Sequence, residues 1–262
     1  MNIVTGHKGF IGSHVFSRLE NAHGVGMSDC YTFLDEFDKW KDVECVYHLG
    51  AISDTTCTDV EKIHKYNVAY TLRLFEKCIE HKIPVKYASS ASVYGNQIKK
   101  INPLNQYSLS KAIIDYWVEE NKNRFSFIQG FRFFNVYGNN EDHKGSQASP
   151  LTQFRKQAET GVIKIFEGSD NCVRDFICVE DVCEVILHNN HVSGIYDLGT
   201  SKPISFLKVA KLIQKKFGGT IQEIPFPKHL FNRYQFYTCA EQHFDFKFKT
   251  VEEWLTTHQS SV

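Results

Sequence analysis

The feature that most limits what this chain can become is a set of glycines at a spacing of three, Gly6, Gly9 and Gly12, directly after the apolar residues 2–5. A strand that runs into G-x-x-G-x-x-G and then into a helical pattern over residues 10–20 fits a strand-turn-helix unit built for close approach of a ligand. Glycines there permit a tight turn, contact of backbone with a pyrophosphate and close packing of helix on strand, while the helix N-terminus favours an anion. Taken alone, the same triplet also fits a plain turn, so its weight depends on the rest of the chain.

Apolar runs recur at residues 43–48, 85–89 and 125–133, separated by helix-period stretches. The longest, over residues 59–81, places Tyr66, Tyr70, Leu74 and Cys78 on one face. Strands alternating with helices imply crossover connections and a parallel sheet covered on both faces, so the fold class is α/β, a Rossmann-like doubly wound sheet. The interval between residues 27 and 43 is too short for a full helix-strand-helix passage, and the sheet is expected to lack about one strand-helix unit. After residue 138 the rhythm changes to a polar loop and short strands, followed by an amphipathic helix at 206–217 and a terminal helix near 251–257. The expected division is a dinucleotide-binding domain over 1–142 with 174–200, and a substrate-binding lobe over 143–173 with 201–262. The cleft between them falls at the carboxyl ends of the strands.

Thirty Lys plus Arg balance thirty Asp plus Glu, and no basic run stands out, which argues against nucleic acid or an acidic membrane surface as the partner. No apolar run approaches the roughly 18 residues of a membrane span, and no signal-peptide pattern opens the chain. The expectation is a cytoplasmic protein acting on a small molecule. Its eight cysteines form no C-x-x-C pair and sit mostly in apolar patterns, as buried reduced thiols do, so no metal site is expected.

Two further groups carry chemistry. Tyr107 and Lys111 form Y-x-x-x-K at the start of a helical pattern, which puts phenol and ammonium on one helix face. A phenol with pKa ~10 is a poor base at neutral pH, and a neighbouring cation brings it toward the working range. Ser89 and Ser90 close the strand upstream, where a hydroxyl can share the substrate oxygen with the phenol. Asp29 comes after the apolar stretch 25–27 at the distance where a carboxylate meets the adenosine ribose, unless it is a solvated turn residue.

Together these strings resemble the extended short-chain dehydrogenase/reductases that act on nucleotide sugars. The shared strings are VTGHKGFIGS (4–13), HLGAISDTT (48–56), YASSASVYG (87–95), PLNQYSLSK (103–111) and GFRFFNVYG (130–138). HKGSQAS (143–149), FEGS (166–169), RDF (174–176) and IPFPKHLFNRYQ (224–235) point within that family to the ADP-L-glycero-D-manno-heptose 6-epimerases.

The resemblance implies an epimerase that oxidises a sugar carbon transiently to a ketone at a tightly bound NAD or NADP and re-reduces it on the other face. It implies Tyr107 as the first base, Ser90 as its partner and Lys111 as the residue holding the nicotinamide ribose. Lys144 is the second base or, read from its residue type, a diphosphate contact. Phe10, Ile11, Leu49, Gly50, Ala51, Ile52, Ser53 and Asn67 would line the cofactor, and His143 would serve either ligand. Asn135, Ser146, Phe166, Glu167, Gly168, Ser169, Arg174 and Tyr234 would hold the nucleotide-sugar, Arg174 through its planar fork of donors unless it pairs with Asp175. A homo-oligomer is implied as well. The rival readings are another 4-epimerase, dehydratase or reductase of nucleotide sugars, or a non-catalytic dinucleotide sensor.

Overall fold

The computed structural model describes residues 1–97, 99–228 and 234–257. Its first strand, β1 (Asn2–Thr5), leads through the glycine turn into α1 (Phe10–Phe16), shorter than the helical pattern suggests because the chain turns at Ser17. Next come β2 (Ala22–Val25), α2 (Cys30–Glu36) and β3 (Cys45–His48). The long helical stretch is α3 (Val60–Ile63) and α4 (Tyr70–Glu80), joined without a break by a π-helical turn, His64–Ala69. The chain continues through β4 (Val85–Ser90), α5 (Gln106–Asn121), β5 (Ile128–Phe133), β6 (Asn135–Tyr137), α6 (Pro150–Glu159), β7 (Val162–Phe166), β8 (Val173–Arg174) and β9 (Phe176–Cys178). The remaining elements are α7 (Val179–His188), β10 (Gly194–Leu198), β11 (Ile204–Ser205), α8 (Phe206–Phe217), β12 (Thr220–Ile224) and α9 (Val251–Thr257).

Six strands form one parallel sheet in the order β10-β5-β4-β3-β1-β2. Apolar side chains cover both faces, as a parallel sheet requires. On one face α2, α4 and α5 contribute Phe33, Leu74, Phe75, Ile114 and Val118 to the core. On the other, α1 and α7 contribute Phe10, Val15, Val182 and Ile186. The sheet stops at β2, so the expected shortening is real. In place of a further strand, the Phe33, Phe37 and Trp40 rings pack together with centroids 4.8–5.5 Å apart, and His23 of β2 stacks on Phe33 at 5.7 Å.

A second core, around Tyr137, Phe154, Ile163, Val209 and Trp254, joins α6, α8, α9 and the small sheets into a lobe beyond the carboxyl ends of β4 and β5. Before α9 joins that lobe the chain crosses to the first one, for Phe244 and Phe248 are buried in the core formed by α1 and α7. All eight cysteines are free, five of them buried. Among the described residues no helix is long and apolar enough to cross a membrane.

Candidate active site

The turn after β1 has the shape its glycines suggest. Gly6 has φ +68°, a left-handed conformation that favours glycine, and a Cβ there would fall 2.5 Å from Gly50 Cα. A Cβ on Gly12 would lie 2.1 Å from the Gly6 carbonyl oxygen. Backbone thus meets backbone between the turn and the loop after β3, and no side chain caps the first N–H groups of α1 behind Gly9. A bound dinucleotide diphosphate fits this cradle, where bare N–H groups and small residues leave room for an anion.

That loop, Leu49 through Ser53, is held from the π-helical turn. Asn67, fully buried, accepts from Ile52 N at 2.8 Å and donates to Ile52 O at 3.0 Å and Ser110 Oγ at 3.1 Å. Beneath it, Thr71 Oγ1 donates to Asn67 O at 2.8 Å, so His48 Nε2 donates to Thr71 at 2.8 Å and its Nδ1 accepts from Thr5 Oγ1 at 2.7 Å. Burial, with Lys111 nearby, pulls the His48 imidazole down to about 3, which keeps it neutral.

Asp29 sits in the turn after β2. It lies at the N-cap of α2, four residues beyond β2, and its Oδ1 accepts from Gly26 N at 3.1 Å and Ser28 Oγ at 3.2 Å.

At the centre of the sheet, β4 ends on Ser90, and α5 begins where Asn105 caps it by accepting from Ser108 N at 2.9 Å. Tyr107 therefore sits in the first turn of α5. Burial pushes its phenol above the ordinary value, while a hydrogen bond with Ser90 works the other way. The helical spacing predicts that Lys111 lowers that phenol, but its ammonium donates instead to Ala88 O at 2.8 Å. Burial draws Lys111 down to about 8.

Ser90 and Tyr107 line a cavity of about 580 Å³ together with Asn135, Phe166, Ser169, Arg174 and Tyr234. Arg174 is buried, with its guanidinium 5.2 Å from the Tyr234 ring centroid and 5.7 Å from that of Phe206. It has no carboxylate partner among the described residues. Asp175 is occupied by Thr200, Ser201 and Ala240. A buried cation that burial alone depresses, and that faces a cavity, is suited to an anionic ligand.

The model for the NAD dependent epimerase/dehydratase family matches residues 2–199. The chain belongs to this family. It is also similar in fold to the Helicobacter pylori ADP-L-glycero-D-manno-heptose-6-epimerase, at 24% identity and TM-score 0.75, with 98% of this chain and 94% of that one covered. A Methanobrevibacter ruminantium UDP-N-acetylglucosamine 4-epimerase, in complex with UDP-N-acetylmuramic acid, matches at 18% identity, TM-score 0.82, with 97% and 96% covered. The Thermus thermophilus UDP-glucose 4-epimerase, in complex with NAD, matches at 21% identity, TM-score 0.72, with 86% of each chain covered.

In this member of the epimerase/dehydratase family several expected residues lie away from the cavity. Lys144 pairs with the fully buried Glu141 at 3.1 Å, and its ammonium lies 5.0 Å from the Phe10 ring centroid. Glu141 also accepts from Ser149 Oγ at 2.5 Å and Thr152 Oγ1 at 2.6 Å, so the lysine is anchored on the α1 side and does not line the cavity. His143, Ser146, Glu167 and Gly168 are exposed. Residues 229–233 of the 224–235 string lie outside the described residues.

Asp115 and Arg132, an ion pair at 2.8 Å behind Ser90 and Tyr107, are absent from the residues that sequence reasoning singles out. The signals are present all the same: an arginine between Phe131 and Phe133 in an apolar strand, and an aspartate four residues after Lys111 on the same helix face.

Proposed function

We propose that this chain is a nucleotide-sugar epimerase, most specifically one that inverts carbon 6 of an ADP-activated heptose, with NAD or NADP held tightly at the glycine turn. The observation that carries the reading is the cavity in which Ser90 and Tyr107 share a lining with Arg174, buried and without a carboxylate partner among the described residues. A hydroxyl pair and a buried cation in one cavity suit a sugar alcohol attached to a diphosphate. The strings HKGS, FEGS and RYQ, and the likeness to the Helicobacter pylori enzyme, favour the heptose.

Gly6, Gly9, Gly12, Phe10, Ile11 and the Leu49–Ser53 loop would hold the dinucleotide, which when bound supplies reversible two-electron redox chemistry. Tyr107 takes the proton from the sugar hydroxyl and returns it, and Ser90 donates to the same oxygen. Lys111, held at Ala88 O, lies one helical turn beyond Tyr107, where it would hold the nicotinamide ribose. Arg174 binds the diphosphate between the Tyr234 and Phe206 rings. The exposed apolar row Leu109, Ile113 and Tyr116 on α5 supports pairing with a second copy of the chain.

One observation favours a second reading, inversion at carbon 4 of a UDP-sugar. Lys144 lies outside the cavity, and inversion by a single base needs only that the ketone turn over in front of Tyr107. Incubation of ADP-D-glycero-D-manno-heptose, UDP-glucose and UDP-N-acetylglucosamine with the protein and each dinucleotide, followed by proton NMR, separates the two. Conversion of the heptose alone supports the first reading; an unchanged heptose beside a converted UDP-sugar transfers the assignment to the second.

A further inference from the structure

Behind Ser90 and Tyr107 runs a buried ionic chain that the proposed chemistry does not use. Asp115, 3% exposed, accepts from the Tyr87 hydroxyl at 3.0 Å, Ser89 Oγ at 2.9 Å and Arg132 Nε at 2.8 Å. Arg132 Nη1 donates to the Tyr94 hydroxyl at 2.8 Å, which in turn donates to Asp197 Oδ1 at 2.6 Å. Burying charges costs several kcal/mol per ion by usual estimates, and apolar residues of similar volume would hold a helix on a sheet at least as well. The placement of this chain points to a role other than adhesion.

Tyr87, Ala88 and Ser89 are consecutive residues of β4, immediately before Ser90. Each is tied to α5: Tyr87 and Ser89 to Asp115, and the Ala88 carbonyl to Lys111 one turn earlier. The strand that presents Ser90 and the helix that presents Tyr107 are therefore locked in register by two neighbouring side chains of opposite charge. We propose that Asp115 is a positioning residue for the Tyr107–Lys111 pair, bracing the end of β4 against α5 and supplying the negative charge that Lys111 faces. This rests on the reading of Tyr107 and Lys111 as the reacting pair.

The titratable groups around Asp115 are Tyr87 from β4, Arg132 from β5, and Tyr107, Lys111 and Glu119 on α5, with Tyr94 and Asp197 beyond Arg132. Burial raises the Asp115 carboxyl, and the Arg132 guanidinium and the Ser89 and Tyr87 hydroxyls pull it back toward the ionised form. Its charge opposes the burial that lowers Lys111 and adds to the burial that raises Tyr107.

Asp115→Asn removes the charge while keeping the shape, and both reacting groups then move the same way. The pH profile of kcat/KM is expected to translate toward acid by about one pH unit, where a merely structural lesion lowers its height in place. Lys111 can be followed without substrate through the carbon NMR shift of its ε-carbon. Its midpoint, about 8 in the native chain, falls in Asp115→Asn and holds its position in Asp115→Glu. Because Asp115→Asn leaves the half-buried Arg132 without its carboxylate partner, Asp115→Asn with Arg132→Gln serves as the second variant, with the same displacement of Lys111 expected.

A Lys111 midpoint unmoved in both neutral variants overturns the proposal, as does an equal displacement in Asp115→Glu. A displaced midpoint in a chain that converts no nucleotide-sugar supports the pairing of Asp115 with Lys111 and removes the proposed function instead.

Discussion

Lys111→Met tests whether the site stores strain in its buried lysine. Lys111 is 5% exposed, makes one hydrogen bond to Ala88 O and has no carboxylate within ion-pair distance among the described residues. Burial moves its pKa from 10.5 to about 8, which at roughly 1.4 kcal/mol per pKa unit makes the charged form cost the fold about 3 kcal/mol at neutral pH. Methionine fills the same space without the charge and gives up a hydrogen bond from a charged donor worth about 2 kcal/mol, for a net gain of about 1 kcal/mol. Urea unfolding of both chains at several pH values reads this difference. Since the folded pKa is the lower one, the unfolded native chain binds the extra proton between pH 8 and 10.5, and its stability rises through that window. The advantage of Lys111→Met is therefore full below pH 8 and gone near pH 10.5. A variant less stable than the native chain at pH 7, or a difference that stays flat with pH, refutes the reasoning. The same variant should be inactive, so stability and function separate at this position.

Other consequences are as direct. Arg174→Met should weaken binding of ADP or UDP by about tenfold to a hundredfold in calorimetry, the loss of a charge-assisted hydrogen bond, and an unchanged affinity would remove Arg174 from the diphosphate site. For Lys144→Met the two readings give different signatures. A proton-transfer role costs about 10²-fold or more in rate with nucleotide-sugar affinity intact, a diphosphate contact costs affinity first, and native behaviour in both leaves Lys144 as the partner of Glu141 alone.

The sheet is legible where local chemistry dictates it. Gly6 and Gly12 cannot carry a Cβ in the turn they make, and the short interval before residue 43 has room for the Phe33, Phe37 and Trp40 cluster but not for another strand. The π-helical turn is hidden, because one extra residue per turn barely disturbs the apolar face of Tyr70, Leu74 and Cys78. The electrostatics of the site are also hidden, since they depend on which charges the tertiary fold buries and what it packs around them. Nothing near Lys144 announces that Glu141 will be buried among Ser149, Thr152 and that lysine, and nothing in α5 announces that Asp115 will meet an arginine from β5. Tyr107 shows the same limit. Its spacing from Lys111 is local and plain in the sequence, whereas the burial that raises its phenol depends on the whole lobe.

The central claim is that Tyr107 drives inversion of a nucleotide-sugar carbon by transient oxidation within one cavity. The most direct test is proton NMR of the converted sugar after turnover in deuterated water, with the native chain and with Tyr107→Phe. The expected result is an inverted carbon that keeps its own hydrogen, no net reduction of the dinucleotide, and a rate about 10²-fold or more lower in Tyr107→Phe. Solvent deuterium at the inverted carbon, or a Tyr107→Phe chain as fast as the native one, would contradict the account.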